Sequence, residues 1–382
     1  MTERTESFEV MMGFSSFRTT RETGEAAQAC IDKIQALAVQ TSEGCSSPLY
    51  TMIDIANRLE RDPRTAKNIW VVRSNARPGA KPEHTRISAW PLHFSSQARA
   101  SEKPLLYLTS SSTSAQLCAL SSESSQRGIL CNDIETISSI WPKGAHPWVP
   151  LWLAANPRCL PFDPASGAEA RAIALAALKS LYVDGSNGFY YMALHDEPND
   201  FVGPMDKHSV SQALQGMYKI AELKAEPDRP KVRLLGAGLS LRAVIAAAQI
   251  LHEDWGVGCE MWSCPSYTRL ARDAESALRW NRMHPDLPRR SSHLRDSLNL
   301  EDAPVVAVTG YAQHVAEQIG AHLNSRFVAL GADSIGSLPT RPISSKTVDK
   351  RWIATLALRA LAQDGKVPQE YVKQAMRRYL LQ

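Results

Sequence analysis

The sequence predicts an α/β protein with mainly parallel sheets, divided into more than one domain. Three observations carry this. From about residue 150 onward, short apolar runs alternate with amphipathic stretches of helical length. Parallel strands need such crossovers, because a tight turn cannot return the chain in the same direction. With 382 residues, 44% hydrophobic and 21% charged, the chain has the length and composition for two or three ordinary globular cores.

The first 150 residues are rich in Ser and Thr, as in "SEGCSSP" and "LTSSSTSAQLCALSSESSQ". Between these lie apolar runs that read as strands: "NIWVV" (68–72), "PLLYLTS" (104–110) and "RGILCND" (127–133). One helix is legible over 25–39, where Ala26, Cys30, Ile34 and Leu37 form a stripe.

The later elements are more regular. "PRCLPFDP" is a short apolar run punctuated by proline. It is followed by a helix over 166–182, with Ser166 and Glu169 at capping-box spacing. The aromatic "GFYYMALHD" (188–196) reads as a buried strand, and "EPNDFVGPMDKHS" as a loop. The charged "KAEPDRP" (224–230) reads as a linker. Beyond it, "KVRLLGAG" (231–238) is a strand, and Ser240 is placed to cap a helix whose Leu241, Val244, Ile245, Ala248 and Leu251 share a face. "GCEMWSC" (258–264), "APVVAVTG" (303–310) and "RFVALG" (326–331) are further strands, with a helix expected over 311–323 between the last two. Two helices split by Gly365 and Pro368 end the chain.

Several chemistries are weakened or excluded by spacing. Net charge is +4 with no run of five like charges, which argues against a nucleic-acid surface. The apolar run 241–251 is too short for a bilayer and carries Arg242, so no membrane association is expected. The N-terminus shows no apolar signal segment. Seven cysteines without a C-x-x-C pair read as reduced thiols, so a cytoplasmic location is expected. "LLGAGLSL" (234–241) has Leu241 where a dinucleotide fingerprint has its third glycine, so it reads as a tight strand-to-helix turn rather than a phosphate loop. His252, Glu253 and Asp254 are consecutive on a helix and splay about 100° apart, so they cannot converge on one metal. They read as a charged last turn closed by Gly256, with Trp255 folded back onto the core. His314 and His322 lie eight apart on one expected helix and could share a face, but two turns separate them.

Residues 232–285, and above all "GVG" (256–258), "SYTRLARD" (266–273) and "RWNRMHP" (279–285), resemble the C-terminal domain of the thiamine-diphosphate-dependent decarboxylase of homodimeric pyruvate dehydrogenase complexes. "DAPVVAVTGYAQHVAEQI", "VALGADSIGSLPTR" and "GKVPQEYVKQAM" continue the likeness, and "NPRCLPFDPASGAEA" and "NGFYYMALHDEPND" look like the end of that family's pyrimidine-binding domain. The likeness covers about residues 150 to 382. It implies two three-layer α/β domains with mainly parallel sheets, transketolase-like: a divergent pyrimidine-binding-like domain over 1–223, a linker over 224–230, and a transketolase C-terminal-like domain over 231–382.

In that family thiamine diphosphate lies between two domains, and a Gly-Asp-Gly…Asn-Asn motif binds its diphosphate and metal. No Gly-Asp-Gly occurs in this chain. The family's histidine-rich loop reads roughly His-Glu-Asp-Gly-His-Ser-His; the corresponding "WPKGAHPWVPLWLAANP" retains only His146, which becomes the candidate catalytic residue. No metal ligands are expected. The resemblance implies a subunit of a two-chain enzyme acting on a 2-oxo acid or ketol donor. It would bind thiamine diphosphate with magnesium only beside a partner carrying the diphosphate site, as a homodimer or α2β2 assembly. The alternative is a cofactor-free relative kept as a binding, regulatory or structural subunit.

Overall fold

The computed structural model describes residues 19–38, 47–73, 102–110, 117–118, 127–135, 146–147, 151–199, 201–224, 226, 229–298, 302–334 and 349–379. Most of the Ser-rich stretches of the first part, most of "WPKGAHPWVP", and "SIGSLPTR" apart from Ser334 lie outside the described residues. The chain forms two compact units, one of residues 1–137 with 152–204 and one of 138–151 with 205–382.

The first unit is built on a five-stranded parallel sheet in the order β1-β2-β3-β5-β4. Its strands are β1 (Trp70–Arg73), β2 (Leu105–Thr109), β3 (Gly128–Asp133), β4 (Cys159–Phe162) and β5 (Phe189–Leu194). All five coincide with the apolar runs read from the sequence. β5 is buried at every position, as its near-continuous apolar character requires of a strand covered on both faces. Helix α1 (Arg21–Ala38) buries Ala27, Cys30, Ile31 and Ile34. Helix α2 (Pro48–Arg61) is not evident in the Ser-rich composition, yet its start is well specified. Ser47 accepts the Tyr50 N–H at 3.2 Å and Pro48 sits at the first turn, where its missing N–H costs nothing. Helix α3 (Gly167–Leu178) begins with the expected capping box. Ser166 Oγ accepts the Glu169 N–H, and Glu169 Oε2 accepts the Ala165 N–H at 2.6 Å. It ends in a π turn over Lys179–Val183.

The second unit has a five-stranded sheet in the order β10-β9-β7-β8-β6. Strands β7 (Lys231–Gly236), β8 (Gly258–Ser263), β9 (Val305–Val308) and β10 (Phe327–Leu330) are parallel. β6 (Tyr218–Leu223) is an antiparallel edge paired with β8. It follows helix α4 (Lys207–Gln215), capped by Asp206, in a stretch whose start reads as loop in the sequence. Because β6 hydrogen-bonds within this sheet, the 224–230 segment connects two strands of one unit. The division of the chain falls at Pro204/Met205.

Helices α5 (Ser240–Trp255), α6 (Tyr267–Met283), α7 (His293–Leu298), α8 (Lys350–Gln363) and α9 (Gln369–Arg378) complete this unit. Ser240 is the first residue of α5 rather than its cap; Leu239 occupies the cap position and makes no side-chain bond there. The helix expected over 311–323 is broken into single turns at His314–Glu317 and Gly320–His322. The Ala332 N–H bonds Tyr311 O at 2.8 Å and the Gln313 N–H bonds Asp333 Oδ1 at 2.7 Å, so the start of that segment is held by the loop after β10. His314 and His322 therefore share no helix face.

One polar cluster lies inside the second sheet. Arg233 and Glu260 are cross-strand partners on β7 and β8, joined at 2.9 Å, with Arg233 2% exposed. Burial alone would raise the Glu260 carboxyl. Hydrogen bonds from Lys231, Lys219 and Arg233 outweigh it and hold the group at about 2.

Candidate functional site

In open parallel sheets ligands bind outside the carboxyl ends of the strands, so the two edges of the first sheet deserve comparison. At its amino edge most polar groups are paired, although Arg127 Nε has no partner. Arg127, just before β3, bonds Glu102 at 3.0 Å and the Leu181 carbonyl, and lies over the Tyr182 ring. The Tyr182 hydroxyl accepts the Leu105 N–H at 3.0 Å. This edge is structural.

The carboxyl edge differs. Asp163 follows β4 and His195 follows β5, which are neighbouring strands. The amino end of α2 docks at the same place, with the Leu49 N–H on the His195 carbonyl at 3.1 Å. The Ile134 N–H reaches Leu194 O at 3.2 Å, bringing the residues after β3 alongside. His195 is 1% exposed, and neither ring nitrogen completes a hydrogen bond, although backbone groups of Pro164 and Glu197 lie nearby. Burial drives its pKa down to about 4, against the weaker opposing pull of Asp196 and Glu197. Burial, reinforced by the charge of Glu169, raises Asp163 to about 8. At neutral pH the edge therefore carries a neutral imidazole and a protonated carboxylic acid: a weak base and a hydrogen-bond donor. Neither residue is marked by the sequence, where "ALHD" and "PFDP" read as strand ends.

The predicted residue His146 lies in the second unit. Its N–H bonds Gly310 O at 2.7 Å, and the Ala312 N–H bonds Pro147 O at 3.3 Å, fixing both residues on the loop after β9. His146 is buried, and burial lowers its pKa from the ordinary histidine value. It enters that fold as a neutral ring.

The metal part of the family's cofactor can be tested against these side chains. A diphosphate carried on magnesium needs several ionised or neutral oxygen donors directed at one point. Among the described residues no group of three or more His, Cys, Asp or Glu is arranged to hold a metal ion. Glu169 is engaged in its capping box and Asp163 is protonated. The described residues thus offer no ready-made carboxylate cage for magnesium. The trio His252–Asp254 likewise carries no site. Asp254 instead bonds Arg378 at 2.6 Å and the Tyr379 hydroxyl at 2.8 Å, and Trp255 Nε1 donates to the same hydroxyl at 2.9 Å. What reads as a solvated turn clamps the C-terminal helix α9.

Residues 216–343 match the transketolase-like TK C-terminal domain family. The pyruvate dehydrogenase E1 component of Cupriavidus necator is 36% identical over 231 residues, which are 60% of this chain and 26% of that protein. The Pseudomonas aeruginosa E1 component is 34% identical over 233 residues, again 60% and 26%. The chain thus spans about a quarter of the length of these relatives. Among solved structures, Campylobacter jejuni transketolase superposes with a TM-score of 0.54 at 13% identity, covering 88% of this chain and 50% of that one. A split-gene transketolase, described as an inactive β4 tetramer, gives 0.52 at 15% identity, covering 84% and 99%. At such identities these structures speak to fold alone. No helix among the described residues is long and apolar enough to cross a membrane. The chain therefore has a transketolase-like α/β fold, its residues 216–343 match the transketolase-like TK C-terminal domain family, and 60% of its length is similar in sequence to the pyruvate dehydrogenase E1 component.

Proposed function

We propose that this chain is one subunit of a two-chain assembly of the transketolase type and has no activity on its own. The observation that carries this reading is the pair of α/β units, matched over 99% of one chain of a split-gene transketolase whose described state is inactive. In this reading a partner chain supplies the diphosphate site and thiamine diphosphate with magnesium binds only in the assembly, a homodimer or α2β2. When bound, the cofactor would supply the carbanion chemistry for a 2-oxo acid or ketol donor. His146, buried and neutral, would act on a proton at the substrate.

A second reading is favoured by the carboxyl edge of the first sheet, where His195 and Asp163 are enclosed and uncharged. There the chain is a cofactor-free relative that binds or supports another protein. Calorimetric titration with thiamine diphosphate and magnesium separates the two, using the chain alone and mixed with a protein encoded nearby that carries Gly-Asp-Gly…Asn-Asn. Binding only in the mixture, with turnover lost in His146→Ala, is the expected result. No binding in either sample, with the two chains still associating by light scattering, selects the cofactor-free reading.

A further inference from the structure

Helix α6 ends at Met283, and the chain loops back through 284–292 before α7. The loop is held at both ends. Asn281 Nδ2 donates to Arg290 O at 2.9 Å, and the Arg290 N–H returns to Asn281 Oδ1 at 2.8 Å. The Trp280 ring stacks on His284 with centroids 3.7 Å apart, and the Arg290 guanidinium lies 3.4 Å from the centre of that Trp280 ring. Further on, the His293 N–H bonds Asp273 Oδ2 at 2.8 Å and His293 Nε2 bonds Met217 O at 2.8 Å.

This fixed loop, with the end of α6 and the start of α7, borders a half-open surface concavity of about 370 Å³ lined by Arg282, Arg289, Arg290, Arg295, Asn281 and Ser291. A volume of this order is that of a small-molecule site, which runs from about 300 to 1,000 Å³. The charge is one-sided. Asp286 and Asp296 belong to the same stretch but do not line the concavity. Among the described residues none of the four guanidiniums makes an ion pair, whereas Arg58, Arg73, Arg233, Arg326 and Arg378 all do.

Four cations around one hollow repel each other until a counter-charge enters. The planar guanidinium fork matches phosphate oxygens two at a time. Fixing Arg290 over Trp280 reduces the side-chain freedom lost on binding. A monoanion can engage only part of such a ring; two linked phosphate groups can engage three or four members together.

We propose that this arginine-lined hollow of the second unit binds a small phosphorylated molecule carrying at least two phosphate groups, with Arg282, Arg289, Arg290 and Arg295 as the charge-bearing contacts. The proposal is independent of the assembly reading, since it rests on residues 278–295 of one unit. Its test is calorimetric titration of the full chain with inorganic pyrophosphate in metal-free, low-salt buffer, with inorganic phosphate as comparison. Saturable one-to-one binding is expected, at least tenfold tighter for pyrophosphate than for phosphate and weakening steeply with added salt. Arg282→Ala combined with Arg289→Ala should weaken it at least tenfold. Arg282→Lys, which keeps the charge and loses the fork, should weaken it a few-fold. Arg351→Ala, elsewhere on the surface, should change nothing. All four positions are exposed, so unchanged thermal midpoints will show that the variants are folded. Absence of saturable binding, equal affinity for phosphate, or insensitivity to the double substitution would each overturn the proposal.

Discussion

At Asp163 and His195 the fold moves the protonation equilibria away from those of an unfolded chain. The carboxyl of Asp163, raised by burial and by Glu169 to about 8, keeps its proton across neutral pH. The unfolded chain releases that proton above about 3.8, so the folded state binds more protons between there and 8, and stability falls as pH rises through this window. His195 acts with the opposite sign. Lowered to about 4, it stays neutral while the unfolded chain takes up a proton below about 6.5, so stability falls as pH drops from 6.5 toward 4. The two oppose each other from 4 to 6.5, and Asp163 acts alone from 6.5 to 8. At about 1.4 kcal/mol per pH unit, the first unit should lose about 2 kcal/mol over that upper window. Urea midpoints at pH 6.5 and 8 should show the decline, and Asp163→Asn should flatten it. A flat wild-type profile would mean that Asp163 is ionised in the fold. None of this is readable from the sequence, because "PFDP" and "ALHD" carry no sign that the edge closes over them. His146 illustrates the converse: resemblance singles it out, while its burial and its anchor on Gly310 emerge only from the fold.

Elements were legible wherever one physical signal dominated. Nine of the ten strands coincide with apolar runs; the inner ones are buried on both faces of a parallel sheet and have no polar side to disguise them. The exception, β6, is the antiparallel edge. "YKIAEL" exposes charged Lys219 and Glu222, as an edge must to avoid pairing with other chains, and so does not read as core. The expected helix 311–323 failed for a long-range reason, since the loop after β10 claims its first residues. The glycine turn between β7 and α5 shows a local rule correctly read. A Cβ on Gly236 would lie 2.7 Å from Leu241 Cα, so this glycine permits the helix to pack against the end of the strand. Gly236→Ala must therefore shift Leu241, a fully buried core residue, and overpacking of this kind costs about 1–3 kcal/mol. Chemical denaturation of the second unit should report that loss.

At the scale of the whole chain, each sheet is completed on one side of a single cut. Strands β1 to β5 all precede Pro204, and β6 to β10 all follow Met205. Each unit therefore has its own core. The second centres on Val232, Leu234, Leu235, Val305, Val306 and Ala307 of the sheet, with Leu241, Val244, Leu251, Leu270, Leu358 and Leu361 of its helices. A core of this kind is what allows a domain of ordinary size to fold alone. The exception to the clean cut is the segment 138–151, which lies before the cut yet belongs with the second unit. It contributes the backbone bonds of His146 to Gly310 and of Ala312 to Pro147. A fragment of residues 205–382 should accordingly fold with a cooperative urea transition, weakened by about 1–3 kcal/mol for the two lost bonds relative to the same unit in the full chain. Supplying a peptide of residues 138–151 should recover part of that difference, and the His146 N–H should gain protection from hydrogen exchange in the complex. A fragment that melts without cooperativity and binds a hydrophobic dye even with that peptide present would show that the second core depends on the first unit. The expected linker at 224–230 makes the opposing prediction. If the division lay there, a fragment of 231–382, lacking β6, would be at least as stable as 205–382. With Lys219 of β6 helping to hold the buried Glu260 carboxylate, we expect the shorter fragment to be the weaker one.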